Sequence, residues 1–116
     1  MMKAGDIYMM DYEPHVGREI GGHNPGNGNI RRPFLIISNF KYQKSGSVLA
    51  FPITTSIPPK KVRHLYFPIK LIKDSYVKTT QLVSYDPVAR NAKKMDYSIP
   101  DDKLQGFRLI ARSYLE

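Results

Sequence analysis

The chain contains no cysteine, which excludes a disulfide framework and any thiolate metal site. It has no apolar stretch near the roughly 20 residues that a membrane-spanning helix requires. Its opening, Met1-Met2-Lys3-Ala4-Gly5-Asp6, lacks the apolar run of a signal peptide, and Asp6 and Asp11 come too early for one. A soluble, cytoplasmic protein with no membrane partner is expected. The histidines His15, His23 and His64 have a spacing that matches no recognised ligand pattern, so no metal and no other cofactor is expected. The run Gly21-Gly22 to Gly28 is not followed by a Lys-Ser/Thr pair or a helix, which excludes a phosphate-binding glycine loop.

What the chain has instead is positive charge. Lys and Arg number 18 against 10 Asp and Glu, for a formal net charge of +8. That is the upper end of the about 2–8 that suits solubility in a small domain. It favours a polyanionic partner over a merely solvated surface, because a basic domain concentrates phosphate-bearing ligands around itself. The basic residues are dispersed, so any patch has to be assembled by folding. At 116 residues the chain is one domain, 1–116, large enough for an ordinary core.

Most local signals are strand-like. Residues 6–12 form a short apolar run between polar ends, stopped by Glu13-Pro14. From His15 to Arg32 there is almost nothing to bury. The centre, residues 21–29, is built of Gly, Asn and Pro, and is expected to be a mobile loop bordering the functional groove. Pro33 to Ser38 is apolar on both faces, as a central buried strand is. Val48 to Thr54 is the next strand, and Leu65 to Ile69 follows the basic run Lys60-Lys61-Val62-Arg63-His64. Pro52 and Pro68 cannot donate to a ladder and belong on edges or bulges of a strongly curved sheet. Tyr76 to Tyr85 reads as one further strand and Lys94 to Ile99 as a last short one.

The only helical pattern closes the chain. Leu104, Phe107, Ala111, Tyr114 and Leu115 recur at three- and four-residue spacing. Asp101 and Asp102 suit the positive N-terminal end and Arg108 and Arg112 the negative C-terminal one. The expected architecture is mainly β, a small curved antiparallel sheet packed on a C-terminal helix.

Six segments, in order, resemble the MazF/PemK toxins. Gly5-Asp6-Ile7-Tyr8 through Asp11-Tyr12-Glu13-Pro14 is similar to their opening strand, and Gly17-Arg18-Glu19 to the element after it. Arg32-Pro33 with Phe34 to Ser38 resembles their "RP" strand, and Pro52-Ile53-Thr54-Thr55-Ser56 their "PIT" strand end. Gln81-Leu82-Val83-Ser84-Tyr85-Asp86 is similar to a later strand, and Ile99-Pro100-Asp101-Asp102-Lys103-Leu104 to the start of the last helix. The resemblance implies an SH3-like half-open barrel, a homodimer, cleavage of single-stranded RNA and an antitoxin protein that occupies the active groove. The chain departs from the pattern in three places. An insertion separates Glu19 from Arg32, Val83 stands at a usually basic position, and Pro100 replaces a common Ser cap, which leaves Asp101 as the expected cap.

Cutting RNA without a metal requires a base for the 2′-OH, charge stabilisation at the phosphoryl oxygens and a proton for the departing 5′-oxygen. Arg32 is the first candidate, for its guanidinium presents five donors in a fork that matches phosphate. Thr54, whose hydroxyl can donate to a phosphoryl oxygen, is the second. Glu19 is the third, as general base. Arg18, Arg31, Thr55, Ser56, Lys60, Lys61, Arg63, His64 and Gln81 are the expected RNA-binding residues, with Tyr66 nearby, because cations interleaved with aromatics suit single strands. The bland alternatives are an Arg at a strand start, an ordinary strand Thr and a solvated loop Glu. Two other functions fit the same superfold: a CcdB-like toxin that binds gyrase and cleaves nothing, and a noncatalytic RNA-binding barrel.

Overall fold

The computed structural model describes residues 2–12 and 30–116. The expectations for Glu13, Pro14, His15, Gly17, Arg18, Glu19, His23 and the 21–29 loop therefore lie outside the described residues.

The described strands are β1 (Asp6–Asp11), β2 (Arg31–Ile36), β3 (Val48–Thr54), β4 (Tyr66–Lys70), β5 (Asp74–Lys78), β6 (Val83–Tyr85) and β7 (Lys93–Ser98). They form one curled sheet in the order β4-β5-β3-β2-β1-β7, with β6 also on β3. Every described pairing is antiparallel. With helix α2 (Asp101–Ser113) packed on one side, this is the mainly β, helix-terminated architecture that the sequence predicts.

Strand β2 sits inside the sheet, and its alternation fills both faces. Leu35 joins Ile7, Ile37, Phe51, Ile53, Val77, Leu104 and Phe107 in the cluster beneath α2. Phe34 and Ile36 face the other way, among Met10, Val48 and Ala50, where Tyr8, Tyr12 and Tyr85 close the cluster. At the entry to β1, Gly5 has φ +96° and a Cβ there would lie 3.3 Å from the carbonyl oxygen of Ile99. Its N–H donates to Ile36 O (2.7 Å) and its carbonyl accepts from Ile99 N (2.9 Å). A side chain would be strained there.

The two strand prolines sit where a missing donor does least harm. On the side of β3 away from β2, residues 48–50 pair with β6 and residues 53–54 with β5. Pro52 lies in the gap where β3 changes partners. Pro68 lies in β4, the outermost strand at that end of the sheet.

Four expectations are corrected. Tyr76 to Tyr85 is not one strand, because the chain turns at Thr79-Thr80, with Gln81 N donating to Lys78 O (3.1 Å). Thr79 is buried, its hydroxyl 2.6 Å from Leu65 O. This turns the chain inward and lets β5 and β6 pair with different parts of β3. The C-terminal helix is not the only one, since a single turn, α1 (Phe40–Gln43), and a 3₁₀ segment (Lys60–Leu65) precede it. Asn39 caps α1 by accepting from Tyr42 N (3.0 Å). Asp101 is not the cap of α2. Pro100 holds that position with extended dihedrals and no side-chain bond, and Asp101 is the first helical residue. Leu115 lies past the end of α2 and is exposed, and Ile110 packs on the core in its place.

Candidate functional site

The two principal candidates lie at the same end of adjacent strands. The β2–β3 pairing runs from Ile36 with Ala50 to Phe34 with Pro52, and Arg32 and Thr54 each lie two residues beyond that last pair. Both lie on the aromatic face of the sheet, in step with Phe34 and Ala50. Arg32 is exposed, and one of its donors, Nη1–H, is engaged with Arg31 O (3.1 Å). The rest of its fork points to no other described partner. Thr54 is half-buried at the end of β3, with Tyr76 opposite it on β5. Its Oγ1 accepts from Ser56 N (3.1 Å), which leaves the hydroxyl proton to donate outward. Thr55 and Ser56 are exposed just beyond it.

Gln81 reaches the same face through Tyr12, whose hydroxyl lies 3.5 Å from its Oε1. Tyr12 packs against Phe34 with ring centres 5.9 Å apart, and Tyr85 meets Phe34 edge-on at 5.4 Å. Arg90 lies over the Tyr85 ring at 3.9 Å, a cation–π contact. Burial above all pushes the Tyr85 hydroxyl above its ordinary pKa, with Arg90 pulling it back and Tyr12 adding to the rise. Burial and then the Asp6 carboxylate do the same for Tyr8. These phenols stay protonated and can donate.

Other predicted RNA contacts are placed differently. Lys60, Lys61 and His64 are exposed on the 3₁₀ segment between β3 and β4. Arg63 turns back instead, Nε and Nη2 both donating to Pro58 O (3.3 and 3.2 Å). Arg31 is half-buried and bonded to Asp11 at 2.6 Å, so its guanidinium is spent inside the protein. Residues 18 and 19 lie outside the described residues. Among the described residues no group of three or more His, Asp or Glu is arranged to hold a metal ion.

The roomiest described groove, about 790 Å³, lies elsewhere. It is lined by Ile37, Tyr42, Leu49 and Arg108, at the far end of β2 from Arg32.

Residues 3–107 match the family described as PemK-like, MazF-like toxin of type II toxin-antitoxin system. The chain belongs to that toxin family. Solved structures share the toxin's fold. A MazF from Deinococcus radiodurans (Form-I) superposes with a TM-score of 0.73 at 22% identity, covering 98% of this chain and 96% of that one. A MazE-MazF structure from the same organism (Form-II) gives 0.71 at 24% identity, with 98% and 95% covered. No curated protein sequence gives a match. No helix among the toxin's described residues is long and apolar enough to cross a membrane.

Sequence reasoning missed Tyr12, Tyr85 and Arg90 on the aromatic face, and Asp11 and Asn91 around Arg31. Only Asp11 carried a legible signal. It faces Arg31 across the β1–β2 ladder, and opposite charges in register form favourable pairs.

Proposed function

We propose that this toxin is a metal-independent endoribonuclease for single-stranded RNA. The observation that carries the reading is that Arg32 and Thr54 lie at the same end of the adjacent strands β2 and β3, with an exposed guanidinium and a hydroxyl whose oxygen accepts from Ser56 N. In this reading the ribose 2′-oxygen attacks the adjacent phosphorus as Glu19 takes its proton. The bond from phosphorus to the 5′-oxygen breaks, that oxygen is protonated, and the products are a 2′,3′-cyclic phosphate and a 5′-OH end. Arg32 stabilises charge on the phosphoryl oxygens, since a guanidinium offers five donors and no acceptor. Thr54 adds one neutral hydrogen bond.

Gln81, Thr55, Ser56, Lys60, Lys61 and His64 hold the strand in this reading, with Arg18. The toxin acts in the cytoplasm as a homodimer, and an antitoxin protein holds it in check by covering the groove. Support for that partner comes from the relatives solved as MazE-MazF. The test is to incubate the purified toxin with a long unstructured RNA in EDTA and to identify the ends. The expected result is discrete fragments with 5′-OH and cyclic phosphate ends. Cleavage that EDTA abolishes and magnesium restores overturns the mechanism, and intact RNA overturns the reading.

A further inference from the structure

Arg31 and Arg32 are adjacent and chemically identical, yet they are held in different ways. Arg31 Nη1 donates to Asp11 Oδ1 (2.6 Å), and its Nη2 donates to Met9 O (3.2 Å) and Asn91 O (2.8 Å). The amide of Asn91 donates to the other carboxylate oxygen, Asp11 Oδ2 (2.6 Å). Arg90 O accepts from Asp11 N (2.8 Å), and Arg90 Nη1 lies 3.4 Å from Asp11 O. Two distant parts of the chain thus converge on one carboxylate whose side chain is 10% exposed.

The node is built to hold one geometry. A buried carboxylate is tolerated only when its oxygens are satisfied, and deleting a partner leaves the charge stranded. Asn91 has φ +51°, the only non-glycine in the left-handed region among the described residues. Asparagine tolerates that conformation where most residues do not. Asp11 and Arg31 also face each other across the β1–β2 ladder, and Tyr12 N donates to Ile30 O (2.7 Å) one rung beyond. One residue further in, Arg32 gives a donor to the carbonyl of Arg31 itself. The tether on the first arginine is therefore continuous with the anchor of the second.

We infer that Asp11, Arg31 and Asn91 form a clamp that positions Arg32 at the start of β2, and that Arg31 acts inside this clamp and not on RNA. They are positioning residues, and the inference rests on the ribonuclease reading for what Arg32 does. Misplacing a reacting group by about 1 Å can cost about 10²-fold in rate, so loosening the rung lowers turnover without removing any RNA contact.

The test uses the full chain with Asn91→Gly, which deletes the amide but keeps a residue at ease with positive φ, and Arg31→Lys, which keeps the charge but loses the fork. Three quantities are read for each: the single-turnover rate at saturating RNA, the Kd for the same RNA with a 2′-deoxy nucleotide at the cut site, and ¹⁵N backbone order along β2. Both variants are expected to lose about tenfold or more in rate, with Kd within about twofold of wild type. Order should fall at residues 31–32 and hold at residues 34–36. A wild-type rate with unchanged order overturns the clamp. So does a rate preserved in Arg31→Lys alone, which makes Arg31 a simple charge, or a Kd that weakens as much as the rate, which makes the node an RNA contact. Wild-type protein that cuts no RNA sinks the ribonuclease reading by itself, and the clamp is then judged by the order at residues 31–32.

Discussion

The two faces of the central sheet are closed by different means. One is covered by α2, which lowers Leu104 and Phe107 onto Ile7, Leu35 and Phe51. The other is closed by large side chains around Phe34, chiefly Tyr12 and Tyr85. A helix laid on a sheet hides its chemistry under backbone. A face closed by side chains can keep polar groups at its rim, and this is the face that carries Arg32, Thr54 and Gln81. Both closures are tight, with Phe34 and Ile36 at 0% exposure on this face and Leu35 and Phe51 at 0% on the other.

The largest effect that bears on this contrast is expected at Phe34. Phe34→Ala should cost about 3–5 kcal/mol and exceed Phe107→Ala when both are measured by urea unfolding. A larger loss for Phe107→Ala would show that the helix side sets the stability. Next comes Arg32→Ala, which should lower RNA cleavage by about 10²–10³ with an unchanged melting temperature. Thr54→Ala should be milder, since it removes one neutral donor worth about 1 kcal/mol. If Arg32→Ala is folded and cuts normally, the aromatic face has been assigned the wrong chemistry. The smallest effect is a gain. A Cβ at Gly106 would have nothing within 4 Å, and glycine inside a helix is about 0.5–1 kcal/mol worse than alanine. Gly106→Ala should stabilise the chain by about that much in the same unfolding assay, and a loss there would mean the helix side is too tight for the added methyl.

What the sequence reveals follows the same division. Val48 to Thr54 is read to the residue, and the apolar spacing of Leu104 and Phe107 correctly marks the helix face, because periodicity reports burial directly. The site is half legible. Arg32 and Thr54 are reached through motif resemblance, and the order of the strands sets them at the same end of β2 and β3. The split between β5 and β6 is hidden, since Thr79, Thr80 and Gln81 interrupt no apolar pattern and the turn is fixed by a contact to Leu65. The separate fates of Arg31 and Arg32 are invisible too. The partner that distinguishes them, Asn91, is 80 residues away from Asp11 in the chain, and nothing in a tandem of arginines says which one is tethered.

The order of the strands also sets a schedule. β7 lies on β1, so the last strand to be synthesised docks against the first. Leu104 and Phe107, later still, complete the core that Ile7 and Leu35 begin. Contacts that span the whole chain form last, after their loop-closure entropy has been met. While it is still being translated, the chain can pair Arg32's strand with that of Thr54, but nothing yet covers the opposite side of the sheet. The sheet that carries Arg32 and Thr54 is thus backed by a core that Leu104 and Phe107 complete.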